Sequence, residues 1–198
     1  YKDIPYRFYS VNVANESQII VPRVSSERRL YVPIGFLDSN IIISDSAQAI
    51  YDPEPFVFSI LNSIIHMIWF KATAGRLKTD YRYSSALSYN TFPFPKISEA
   101  QKQELTQCVF RILEERENHS EKTLAQLYDP EKMPKGLREA HRLNDLAVER
   151  CYRSKPFETD EERLEYLFKL YEQMIAEEKT KDTLFQEEKK AKKTRKTK

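Results

Sequence analysis

The stretch from Phe70 to Lys96 reads FKATAGRLKTDYRYSSALSYNTFPFPK, and the chain changes character on either side of it. Before it, short runs rich in β-branched and aromatic residues alternate with turn residues, the pattern of strands. After it, apolar residues recur at helical spacing. Inside it, an apolar helix is expected to stop at Gly75, where glycine tolerates the left-handed conformation of a helix cap, and a basic, tyrosine-rich segment follows. The expected class is α+β: a mainly antiparallel β domain with a buried helix over residues 1–97, a small helical bundle over 98–178, and a charged, disordered tail over 179–198.

Strands are expected over Arg7–Val13, Gln18–Val24, Leu30–Pro33, Asn40–Ser44 and Ala47–Tyr51. From Pro55 to Ala74, Phe56, Ile60, Ile64, Ile65, Ile68 and Trp69 cover more than one face, so this helix is expected to be buried against the sheet and against the later helices. His66 on it reads as a hydrogen-bonded core histidine. Pro93 and Pro95 mark the junction between the two halves. Ser98 with Gln101 is a capping box opening a helix striped by Leu105, Cys108, Val109, Ile112 and Leu113. A shorter helix is expected over Ser120–Tyr128. Pro134 suits the first turn of the next, striped by Leu137, Ala140, Asn144, Ala147, Val148 and Cys151. Thr159 with Glu162 repeats the capping box before Leu164, Leu167, Phe168, Tyr171, Met174 and Ile175. Four helices with short loops can close a bundle.

With 198 residues the chain can bury a core without staples. It opens on Tyr1, as expected of a piece of a longer protein or of a processed N-terminus. Cys108 and Cys151 lie on apolar stripes without partners at metal-ligand spacing and read as reduced core residues, which favours a cytoplasmic setting. The longest apolar run, Pro55 to Phe70, is too short and too polar to span a bilayer. Net charge is only +2, but it is unevenly distributed: residues 1–96 carry 10 basic and 8 acidic groups, residues 97–178 carry 13 and 19, and residues 179–198 carry 9 and 3. A mildly basic sheet half joined to an acidic helical half is what results when only the first faces a polyanion.

Two segments hold the candidate binding groups. Arg76, Lys78 and Arg82 are interleaved with Tyr81, Tyr83 and Tyr89, cationic forks beside π-faces that suit phosphates and nucleobases. Arg23, Ser26, Glu27, Arg28 and Arg29 lie in or beside a loop between strands: Arg can fork onto guanine, Glu can accept from cytosine and Ser can do either. The alternative for that loop is a solvated hairpin tip with an internal Glu27–Arg29 pair.

Gly75 to Ser84 and Tyr89 to Pro95, together with Val21-Pro-Arg-Val-Ser-Ser-Glu-Arg-Arg29, Tyr31 to Phe36, Leu127 to Pro134 and Phe157 to Tyr171, resemble the C-terminal part of MmeI-like restriction-modification enzymes. The resemblance runs in one order over residues 18–175. It implies a target-recognition domain, truncated upstream, plus a C-terminal helical domain, from a bacterial or archaeal type II enzyme. The parent would methylate adenine in double-stranded DNA with S-adenosylmethionine and would carry a fused endonuclease using Mg2+.

The segment itself is expected to bind DNA without catalysing. It has three glycines, none spaced as a nucleoside cradle, and no Asn-Pro-Pro-Tyr loop; Asn90-Thr-Phe-Pro93 is a superficial echo. Glu177-Glu-Lys179 and Glu187-Glu-Lys189 have the Glu-x-Lys form of metal-dependent nucleases but arise readily by chance in so charged a region. No metal or cofactor is therefore expected here, and the implied partners are duplex DNA and the upstream domains of the same chain. A non-catalytic module docking the methyltransferase domain is the alternative function, and a modification-only parent lacking nuclease activity fits the same residues.

Overall fold

The structure is a computed structural model and describes residues 12–195, with side chains to residue 180. The strand expected over Arg7–Val13 lies outside the described residues, apart from residues 12 and 13, which are in no strand.

β1 (Ser17–Pro22) is the centre of an antiparallel sheet, with β3 (Gly35–Asp38) on one side and β4 (Ala47–Tyr51) on the other. Ile19 lies opposite both Phe36 and Ile50, and Ile19 and Val21 are buried as period-two alternation requires. Asp52 follows β4 at φ 49 and closes the sheet's end, its carboxylate accepting from the backbone N–H groups of Asn15 (2.9 Å) and Glu16 (2.8 Å).

Leu30–Pro33 and Asn40–Ser44 are not strands. Tyr31, Val32 and Ile34 are buried, but Pro33 has no N–H and the Ile34 N–H turns back to the Val32 carbonyl at 2.8 Å, so the backbone curls instead of pairing. The second segment is held as a loop: Asn40 N–H donates to Asp38 Oδ1 and the Gln18 amide donates to the Ile41 carbonyl.

A second small sheet has the order β2-β6-β5, from β2 (Val24–Ser25), β5 (Gly75–Leu77) and β6 (Asp80–Arg82). No strand is expected from the sequence reading over residues 75–82.

The helix expected over Pro55–Ala74 is two: α1 (Pro55–Leu61) and α2 (Ile64–Thr73), bent by 61°. Ser63 makes the break, its Oγ accepting from His66 N–H at 3.3 Å and donating to the Ile60 carbonyl at 2.6 Å. α2 ends at Ala74 in extended conformation, and no described glycine has positive φ, so Gly75 is the start of β5 and not a left-handed cap. Among the described residues no single helix is long and apolar enough to cross a membrane.

α3 (Glu99–Glu117) begins with the Ser98–Gln101 capping box, and α4 is a single turn, Leu124–Leu127, capped by Thr123 and Gln126. α5 (Lys135–Tyr152) has Pro134 at its N-cap, one place before the first turn. Before α6 (Asp160–Arg195), Thr159 Oγ1 accepts from Glu162 N–H at 3.1 Å, but the Glu162 carboxylate accepts from Glu158 N–H, so only half of that box forms. The α6 backbone continues to Arg195, through most of the stretch expected to be a disordered tail.

The helices of the second half pack on α1 and α2 as well as on each other. One core cluster joins Ile19, Val21, Val32 and Phe58 to Val109, Ile112 and Leu137; the other joins Ile60, Ile65 and Trp69 to Leu105, Val148 and Leu167. Phe168 and Tyr171 of α6 lie against Trp69 of α2 at ring separations of 5.2 and 5.5 Å. Cys108 and Cys151 are both free thiols.

Arg116 links the halves from inside. It is 8% exposed and donates to the Ile34 carbonyl (2.8 Å), the Tyr128 hydroxyl and Asn62 Oδ1, with its guanidinium over the Phe58 and Tyr128 rings. Its described partners are neutral groups whose dipoles replace water around the charge.

Candidate nucleic-acid interface

The small sheet sorts the candidate residues by parity. Ser25, Tyr81 and Arg76 lie opposite one another across β2, β6 and β5, and Val24, Arg82 and Gly75 form the neighbouring row. Directly paired residues share a face and successive residues alternate. Ser25 and Tyr81 are buried, so their row faces the core, and Arg82 therefore points outward with Val24 and Leu77, all three exposed.

Tyr83 continues the inward row beyond β6. It is 2% exposed, packs on Phe70 with ring centroids 5.0 Å apart, and its hydroxyl bonds His66 Nε2 at 3.0 Å. Burial pushes the Tyr83 hydroxyl pKa up and the His66 pKa down to about 3. His66 is thus a neutral core histidine. Tyr81 and Tyr83 do not offer the open π-faces expected of them; they are the floor on which the sheet rests. Tyr89, half-buried, lines a cleft of about 220 Å³ between the first sheet and the segment that follows β6, together with Val21, Gln48, Tyr83 and Asn90.

Lys78 and Thr79 form the two-residue loop of the β5–β6 hairpin, with Lys78 at φ 57. That conformation is strained for a side chain with a Cβ, and it sits at the exposed tip. Arg76 is occupied: Nη1 donates to Glu27 Oε2 and the Thr79 carbonyl, each at 3.1 Å, Nη2 donates to the Tyr81 hydroxyl at 3.2 Å, and the guanidinium lies 4.5 Å from the Tyr81 ring centroid. It braces the hairpin against the Ser25–Arg29 loop.

The loop is a β-turn closed by Arg29 N–H to the Ser26 carbonyl at 3.2 Å, with Ser26 Oγ accepting from Arg28 N–H. Glu27 pairs with Arg76, so the Glu27–Arg29 pair open from sequence is not the one formed. Arg28 reaches the other half of the chain, its Nη2 lying 2.6 Å from Glu131 Oε1. Arg23 is half-buried; its carbonyl accepts from Tyr83 N–H at 2.8 Å, and its Nε is buried without a hydrogen-bond partner.

The turn and the hairpin, joined by the Arg76–Glu27 pair, make a ledge that carries Arg28 and Arg29 on the turn, Lys78 at the hairpin tip and Arg82 on the hairpin's outward face. Sequence reasoning missed Glu131, for which the sequence carries no signal, and the outward Val24, Leu77 and Asp80. The alternation Asp80-Tyr81-Arg82-Tyr83 was the signal for the latter. Among the described residues no group of three His, Cys, Asp or Glu side chains is placed to hold a metal ion.

Residues 1–96 match the family described as MmeI, target recognition domain, and residues 97–178 match MmeI, C-terminal domain. Over 170 residues the chain is 49% identical to DNA methyltransferase A of Bacillus subtilis (strain 168), covering 86% of this chain and 19% of that protein. Among solved structures it is similar to the type IIL restriction-modification enzyme MmeI in complex with DNA, at 37% identity and a TM-score of 0.83, covering 88% of this chain and 23% of that one. The chain thus spans about a fifth of the length of these relatives.

Proposed function

The chain belongs to the MmeI family, as a target recognition domain joined to a C-terminal domain, and from this premise we propose that it recognises double-stranded DNA for a larger methyltransferase. The observation that carries the reading is the ledge: a two-residue hairpin tip with Lys78, an outward Arg82 and an adjacent turn with Arg28 and Arg29, all braced from behind by Arg76 and Tyr81. A rigid cationic edge of this kind anchors phosphates and carries side chains into a groove, while the target base is presented to a catalytic domain elsewhere in the parent. Ser26, Glu27 and Arg23 lie close enough in sequence and structure to join the readout.

In the parent, the expected chemistry is adenine methylation with S-adenosylmethionine, with Mg2+ for a fused endonuclease, in the cytoplasm of a bacterium or archaeon. The residues described here do not fit either group. Gly35, Gly75 and Gly136 are far apart in sequence, and none has the positive φ of a tight phosphate or nucleoside turn. On this proposal, these cofactors belong to the remainder of the parent.

The rival reading, a module that only docks the methyltransferase domain, leaves Lys78 and Arg82 without a role at an exposed edge. Measuring the full-length chain's affinity for duplex DNA against salt separates the two. DNA recognition predicts affinity falling by orders of magnitude from low to moderate salt, and Lys78→Ala and Arg82→Ala each lowering the log–log slope by about 1. Docking alone predicts the same isotherm for wild type and variants.

A further inference from the structure

We infer that Glu131, on the turn between α4 and α5, is a positioning residue for DNA: it holds the Arg28 guanidinium in the free protein and yields it to a backbone phosphate. The inference rests on the DNA-recognition reading above and extends the interface into the C-terminal half.

Two guanidiniums on the ledge meet carboxylates, and they are held very differently. Arg76 has three hydrogen-bond acceptors and an aromatic face, and its partner Glu27 belongs to the same ledge. Arg28 has one side-chain partner among the described residues, Glu131, and the two side chains are 66% and 72% exposed. A solvated pair with a single link is weak. A backbone phosphate carries the same single charge as the carboxylate, but it also takes both nitrogens of the fork and sits in the field of its neighbouring phosphates, so it competes for the guanidinium effectively.

Glu131 is delivered from a fixed place. Its N–H donates to Asp129 Oδ1 at 3.0 Å, Lys132 and Met133 N–H groups close on the Asp129 carbonyl at 3.0 and 2.9 Å, and Arg138 donates to the Pro130 carbonyl at 3.0 Å. Met133, two residues on, is buried. A cleft of about 120 Å³ beside the pair is lined by Ser26, Arg28, Arg29, Ala125, Asp129 and Pro130. A phosphate arriving at Arg28 finds Arg29 next in the chain and the Glu131 carboxylate opposing it. Glu131 thereby orients Arg28 before binding and lowers affinity for any duplex, whatever its sequence, most strongly at low salt.

The test uses the full-length chain, a labelled mixed-sequence duplex and anisotropy titrations over a salt series, with wild type, Glu131→Gln, Arg28→Ala, the double variant, and Glu172→Gln on α6 as a charge control. Glu131→Gln is expected to tighten low-salt binding roughly two- to fivefold, with little effect from Glu172→Gln and a clearly smaller gain when Arg28 is already alanine. An equal gain in the Arg28→Ala background, or binding by Glu131→Gln no tighter than wild type while Arg28→Ala weakens it, overturns the inference. Failure of wild type to bind duplex at all overturns the DNA reading beneath it, and is a different result.

Discussion

Lys78, Arg82 and Tyr83 lie within six positions and do three different things, because parity and not composition decides where each points. Arg82 faces out and Tyr83 faces in; Lys78 occupies a turn conformation in which glycine would be more at ease. The sequence displayed this alternation, but the density of charge and phenol in Arg76–Tyr83 suggests a binding loop and hides a hairpin. The cationic candidates were legible from residue type; the burial of Tyr81 and Tyr83 was not, since a tyrosine serves equally as a core ring with a polar tip. Glu131 was invisible because its meaning depends on a partner 103 positions away.

At the same scale, Asp145 offers a pH signature. Burial pushes its pKa up to about 7, although its carboxylate accepts from the Tyr31 hydroxyl at 2.6 Å and from Ile64 N–H at 2.7 Å. A folded pKa above the unfolded one near 4 means that the proton-linked stability is present below pH 4 and lost as pH rises through about 7. His66 and His141, both pushed down to about 3 by burial, act oppositely, weakening the fold as pH falls below about 6.5. Asp145→Asn isolates the carboxylate. Thermal unfolding should show the variant gaining on wild type between pH 4 and pH 8, by about 1–3 kcal/mol. A difference that is constant with pH contradicts the assignment.

Among elements, the most consequential departure from the sequence reading is the break at Asn62–Ser63. The helical recurrence of apolar residues over Pro55–Ala74 predicts one helix; the bend exists because Ser63 caps α2 and Asn62 turns its amide to the Phe58 carbonyl and its oxygen to Arg116. Arg116 belongs to an acidic helical half, and nothing in its local sequence marks it as a buried group. Its burial follows from a tertiary arrangement in which Ile34 just before β3, the α1–α2 break and Tyr128 converge on α3. The amphipathic stripes of α3 and α5 were legible because they follow a local period, whereas the buried cation obeys none. Removing it leaves several buried acceptors unpaired, so Arg116→Ala should cost about 2–4 kcal/mol in denaturant unfolding. A loss within about 0.5 kcal/mol, as for an ordinary surface site, contradicts the network described.

Over the whole molecule, the α+β class and the order of its halves were legible from the change of hydrophobic period across Phe70–Lys96. The expectation that the apolar helix of Pro55–Ala74 packs on both the sheet and the later helices holds, and through it the two halves share their cores. Val109, Ile112 and Leu137 complete the cluster begun by Ile19 and Val21, which also holds Tyr81 and Tyr83, so the helices back the ledge, and Glu131 lets them touch its front. Helices packed behind a thin sheet give an exposed hairpin the stiffness that readout of a duplex demands.

The most direct test of the ledge is photocrosslinking of the full-length chain to duplex DNA, with a benzophenone side chain placed either at Lys78 on the hairpin tip or at Phe110, which is 55% exposed on α3. The ledge predicts a salt-sensitive crosslink from position 78 and little from position 110. Equal crosslinking from both, or a crosslink from 110 alone, contradicts it.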